Sequence, residues 1–222
     1  MGEIMASDQL FHKRKERAAK NFSRRKAMFS PYDRILIVCE GTKTEQHYFR
    51  GLANFCKLNR NNITIVGEGA SPTNIVKVAE ENYKASQRDG IHFNRIYCVF
   101  DKNSHTDYER ALAQLANKEH FEAIVSVPCF EYWLLLHYCD STKPYEKKGN
   151  KSACDQVISE LKKHIPRYNK GDRNTFGIVR GNLPAAQANA KKSLKAAKGA
   201  GTDNPSTNVH LLVEHLKSLP KN

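Results

Sequence analysis

Four times between residues 35 and 138 a short apolar run, rich in β-branched side chains, gives way to an amphipathic segment of helical period. The first run, Ile35-Leu36-Ile37-Val38-Cys39, has no polar alternation, which is the pattern of a strand buried on both faces. Thr44 is placed to cap a helix that carries Tyr48, Phe49, Leu52 and Phe55 at three- and four-residue spacing. Ile63, Ile65 and Val66 form a second strand, and Ser71-Pro72 opens a helix through Ile75, Val76, Val78 and Ala79. Ile96 to Phe100 is a third strand, stopping at Asp101, and is followed by a helix with Tyr108, Ala111, Leu112 and Leu115. Ala123 to Val127 is the fourth, and after Pro128 the most apolar helix runs from Cys129 to Tyr138. Strands alternating with helices of this length predict an α/β fold with a mainly parallel sheet covered on both faces.

The flanks differ in character. Residues 1–30 are polar and basic and read as an arm outside the core, with Ser30-Pro31 marking entry to the folded part. Residues 31–140 are the α/β core. Residues 141–222 read as a helical extension packed on that core, with helices around Val157 to Ile165, Pro184 to Ala197 and Thr207 to Leu219. Trp133 and the leucines beside it read as core rather than as a surface for stacking bases.

Charge narrows the partners. Thirty-six Lys and Arg against 23 Asp and Glu leave a formal net charge of +13, which favours a polyanion such as nucleic acid, although a basic surface also serves solubility. In the arm, Lys13, Arg14, Lys15, Arg17, Arg24, Arg25 and Lys26 are crowded together and are candidate phosphate contacts, as is Lys43. The six cysteines contain no C-x-x-C pair, so neither a zinc knuckle nor a disulfide framework is expected, and Cys39 and Cys98 read as small buried hydrophobes. No run reaches the ~18 apolar residues of a membrane span, and the basic N-terminal stretch is unlike a signal peptide. A cytoplasmic location without membrane attachment is the expectation. A homo-oligomer stays open.

Open parallel sheets bind ligands beyond the carboxyl ends of their strands, where the strand order reverses. Glu40-Gly41 follows the first strand, Asp101-Lys102-Asn103 the third, and Cys129-Phe130-Glu131 the fourth, so three acids are expected along one edge. They would repel one another unless a cation or a basic neighbour compensated. Mg²⁺, with Mn²⁺ as a substitute, takes one or two carboxylates plus water and phosphate oxygens, which suits Glu40 with Asp101. Acids at these places also cap helices, and spacing alone leaves both readings open.

The stretch Glu40-Gly41-Thr42-Lys43-Thr44-Glu45, followed by Tyr48-Phe49, resembles the RloB family. So do Ser126-Val127-Pro128-Cys129-Phe130-Glu131-Tyr132-Trp133-Leu134-Leu135-Leu136-His137 and Asn204-Pro205-Ser206-Thr207-Asn208-Val209-His210, and the resemblance spans Ile35 to the C-terminus. It implies a Toprim-like fold, a metal-dependent nuclease acting on DNA or RNA, tRNA included, in anti-phage defence, and a partner ATPase of the RloA type. In Toprim sites a Glu after the first strand and an Asp-x-Asp after the third hold Mg²⁺ and manage protons during phosphoryl transfer. Glu40 and Asp101 match those places.

The sequence departs from that pattern where Asn103 replaces the second Asp, offering a carbonyl oxygen but no charge. Glu131 supplies the missing charge if its helix starts at the crevice, or is simply a helix-start acid. Glu45 is either a first-turn acid or a supporting residue of the site. Lys170, in Tyr168-Asn169-Lys170, resembles a family Tyr-x-Lys element suited to stabilising a scissile phosphate, against the alternative of a solvated loop lysine. His105 reads as a surface loop histidine rather than a phosphate donor. Two functions follow: a nuclease anchored on Glu40 and Asp101, or a Toprim-like module that binds nucleic acid or a partner and cuts nothing. A P-loop ATPase is disfavoured, since no Gly-x-x-x-x-Gly-Lys-Ser/Thr sequence is present.

Overall fold

A computed structural model describes residues 33–102 and 105–221, so the arm from Lys13 to Lys26, together with Asn103, lies outside the described residues. Five strands form one sheet in the order β2-β1-β3-β4-β5: β1 is Ile35–Cys39, β2 Ile63–Gly67, β3 Arg95–Asp101, β4 Phe121–Val127 and β5 Ser206–Thr207. The first four are parallel. β5 runs antiparallel to β4, pairing Ser126 with Thr207 and Val127 with Ser206. This is the α/β architecture that the alternation of patterns predicts, with one short antiparallel edge added.

Every residue of β1 is buried, and its alternate side chains feed two separate cores. Leu36 and Val38 meet Ile75, Val76 and Ala79 of α2 (Pro72–Arg88) and Tyr108, Ala111 and Leu115 of α3 (Tyr108–Ala116). Ile35, Ile37 and Cys39 face the larger core. There Tyr48, Phe49 and Leu52 of α1 (Thr44–Phe55) join the aromatic and leucine run of α4 (Phe130–Leu135). Residues after 140 complete this second core through α5 (Ala153–His164), α6 (Thr175–Val179), α7 (Leu183–Gly199) and α8 (Val209–Ser218). Trp133 is fully buried within it, as expected of a core residue, and Cys39 and Cys98 are buried as well.

Three local expectations need correction. The helix after Pro128 is Phe130–Leu135 and not Cys129 to Tyr138, because His137 and Tyr138 bond back to Leu134 and Leu135 three residues earlier and tighten the chain out of the α-helix. Thr44 is the first helical residue and not the cap; Lys43 holds the cap position without a side-chain bond, while Thr44 is turned inward to Tyr168. The region after Asp140 contains α6 and β5 in addition to the three expected helices.

The buried imidazole of His137 donates through Nδ1 to the Trp133 carbonyl at 3.0 Å, while its Nε2 has no partner among the described residues. Burial pushes its pKa down from 6.5 to about 4. Above pH 6.5 the ring is neutral in both folded and unfolded chains and contributes nothing. Between 6.5 and about 4 the unfolded chain takes up a proton that the folded chain refuses, so stability falls through that window. About 3 kcal/mol of acid-side loss is expected, and denaturant melts of wild type and His137→Leu across it should show a shallower decline in the variant.

Candidate active site

The strand order reverses at β1, whose chain turns outward to β2 and then crosses back to β3. The loops leaving β1 and β3 therefore diverge and open a crevice. Its cavity, about 500 Å³, is lined by Glu40, Glu45, Asp101, Glu131, Lys43 and Lys170 among others. The structure thus gathers the expected acids and both expected lysines in one place.

Glu40 extends the pairing of β1 with β3, its N–H bonded to the Val99 carbonyl at 2.8 Å. Its carboxylate reaches across the crevice, where Oε2 accepts the N–H of Asp101 at 3.1 Å and Oε1 meets His105 Nε2 at 2.8 Å. Glu40 therefore does not cap α1. Asp101 ends β3, six residues before Asp107 at the start of α3, and it accepts from the N–H of Phe130. Neither acid caps the helix that follows it in the chain, and Asp101 instead takes up a free N–H at the start of the helix that begins at Phe130. Glycines make the turn possible: a Cβ on Gly41 would lie 1.7 Å from Glu45 Oε2, and one on Gly67 would lie 2.6 Å from the Gly41 carbonyl oxygen. The Glu45 carboxylate lies directly over this bare backbone.

Electrostatically the pocket holds more negative charge than its neighbours offset. Burial, followed by the charges of Glu45, Glu40 and Glu131, raises the Asp101 carboxyl well above the usual range. Burial, with Glu131 and Glu40 adding to it, pushes Glu45 up to about 7. Glu131 is only 3% exposed, and its Oε1 receives the Tyr168 hydroxyl at 3.0 Å and Lys170 Nζ at 3.1 Å. Burial opposes the charge on Lys170, yet Glu131 outweighs it and leaves the lysine pKa raised. Among the described residues no group of three or more His, Cys, Asp or Glu side chains is placed to hold a metal ion.

His105 is the clearest departure from the sequence reading: it is not a free surface histidine but a partner of Glu40. Cys129 and Cys154 meet side chain to side chain on the same wall, and Tyr168 completes the surroundings of Glu131. These pairs join residues far apart in the chain, so local spacing carries no signal for them.

Among the described residues no helix is long and apolar enough to cross a membrane. No curated protein and no solved structure matches the chain. The model of the family described as RloB-like protein matches residues 35–216, which include β1, the acidic crevice and, in full, seven of the eight α-helices among the described residues, and the chain belongs to that family.

Proposed function

We propose that the protein is a divalent-metal-dependent nuclease with a Toprim-like site, acting in the cytoplasm on DNA or RNA in anti-phage defence beside an RloA-type ATPase. The observation that carries this reading is the excess of buried carboxylate at the switch point of a protein whose net charge is +13. Hard oxygen donors with unbalanced charge fit Mg²⁺ or Mn²⁺, which Glu40 and Asp101 would hold, with Asn103 a third candidate. The bound cation would supply charge to polarise a phosphodiester and acidify water.

The chain's own groups have separable tasks. His105 and the Asp101 N–H hold the Glu40 carboxylate in one orientation. Lys170, anchored on Glu131 yet half exposed, offers a cation to a phosphate oxygen, and exposed Lys43 does the same at the rim. Glu45, pushed up to about 7 in the cation-free pocket, is the proposed proton carrier. The basic cluster from Lys13 to Lys26 adds sequence-independent affinity for the backbone. The defining experiment incubates the purified protein, with and without an ATPase partner, with total RNA and phage DNA plus Mg²⁺ or Mn²⁺, followed by sequencing of the products.

Asn103 favours a second reading, a module that binds and does not cut. Asn103→Asp adds a charged oxygen two residues after Asp101 in the chain, and divalent affinity should rise by roughly tenfold, with faster cleavage, if position 103 belongs to the site. Calorimetric Mg²⁺ titration beside a cleavage assay checks this. Tighter metal binding with no cutting by either protein favours the binding module; no change in either measurement removes Asn103 from the site.

A further inference from the structure

A cationic track leaves the acidic pocket along the exposed side of α1. Lys43 stands at the pocket rim, and His47, Arg50 and Asn54 follow at intervals of three and four residues on the side opposite Tyr48, Phe49 and Leu52. The twelve residues of α1 extend about 18 Å, so the track carries well beyond the reacting centre. Arg173, from the loop before α6, lies beside it. His47 records the resulting potential: burial first, then Arg173 and Arg50, lower its pKa, with Asp172 partly offsetting them.

At the far end the surface changes character. Phe55 is 51% exposed at the end of a helix whose other aromatic side chains are buried. Its ring leans on buried Phe176 at 5.6 Å, and the Arg180 guanidinium lies 5.8 Å from its centroid. Both border an open groove of about 510 Å³ shared with Arg173 and Asn174. The helices are held close here, since a Cβ on Gly51 would lie 2.7 Å from Phe176 Cβ, so the ring rests on a firm base. Scattered exposed apolar residues are common and mean little alone. An aromatic face flanked by guanidinium groups, at the end of a cationic track that begins in an acidic pocket, is a different arrangement.

We infer that this face binds the single strand of nucleic acid flanking the scissile phosphate, with Lys43 and Arg173 along its backbone and a base stacked on Phe55 beside Arg180. The inference rests on the nuclease reading of the acidic pocket and names the form of its substrate. A single strand fits because a base can lie on the ring only when its face is free, and a duplex hides that face. Phosphates match the sign of the track.

The test measures binding without cleavage. A labelled mixed-sequence single-stranded oligonucleotide is titrated with the full chain in EDTA, read by fluorescence anisotropy across a salt series. Phe55→Leu should weaken binding about tenfold and Phe55→Tyr should retain it, because stacking needs the ring and not merely an apolar group. Lys43→Gln combined with Arg173→Gln should flatten the slope of log affinity against log salt by about 1.4. Photo-crosslinking with 5-iodouracil should place an adduct on Phe55, which separates this face from the basic residues before Ser30. Wild-type affinity in Phe55→Leu, adducts confined to other residues, or equal competition by duplex would each overturn the inference. If Phe55-dependent binding holds while no nucleic acid is cut with either metal, the nuclease reading falls and the track stands; cutting with no dependence on Phe55 gives the reverse.

Discussion

Asp101→Asn and Glu40→Gln are each expected to lower divalent-dependent cleavage by at least about a thousandfold, since losing a ligand removes several kcal/mol of charge stabilisation at the phosphate. The same substitutions should leave the melting temperature in EDTA unchanged or raised. Asp101 is held well above the usual carboxylate range by burial and by Glu45, Glu40 and Glu131, so the ionised pocket costs the fold free energy in the absence of a cation. Losing activity while keeping or gaining stability distinguishes a site residue from a structural one. Cleavage on defined DNA and RNA substrates, beside thermal melts in EDTA, measures both. Wild-type cutting by both variants would remove these residues from the chemistry.

The largest expected effect on stability belongs to Trp133. Its side chain is fully buried, set edge-on to Tyr48 at 6.3 Å and to His137 at 5.0 Å between ring centroids. Trp133→Ala removes the largest of the fully buried side chains and leaves a cavity between α1 and α4 that the rigid sheet cannot close. A cost of about 3–5 kcal/mol is expected, a large part of what a domain this size holds in reserve. Urea unfolding checks it. A loss below about 1 kcal/mol would mean that the aromatic cluster adapts and does not key the larger core.

What the sequence revealed and what it hid both have physical causes. Ile35 to Cys39 was legible as a doubly buried strand because the absence of polar alternation leaves no face for water, and the acids after it followed from the geometry of parallel sheets. Glu131 was ambiguous only because its position depended on where α4 begins, at Phe130. Two elements escaped for want of length: Ser206–Thr207 is too short to show alternation, and Thr175–Val179 is too short to show a helical period. The end of α4 was overrun because Leu134, Leu135 and Leu136 are equally apolar in an α-helix and in the tighter turn that follows. His105 looks like a surface residue in the sequence because its partner, Glu40, is 65 residues away. The Cys129 and Cys154 contact and the Tyr168 bond to Glu131 are long-range in the same way.

The central claim is that Glu40 and Asp101 together hold a divalent cation at the β1 and β3 ends, and it is tested most directly by counting that ion. Mn²⁺ titrated into wild type and into the double variant Glu40→Gln, Asp101→Asn, with free ion followed by electron paramagnetic resonance, gives occupancy without reference to any substrate. The account predicts a saturable site in the wild type, displaced by Mg²⁺ and lost in the double variant. A wild type that takes up no Mn²⁺, or a double variant that binds it as tightly, would contradict it.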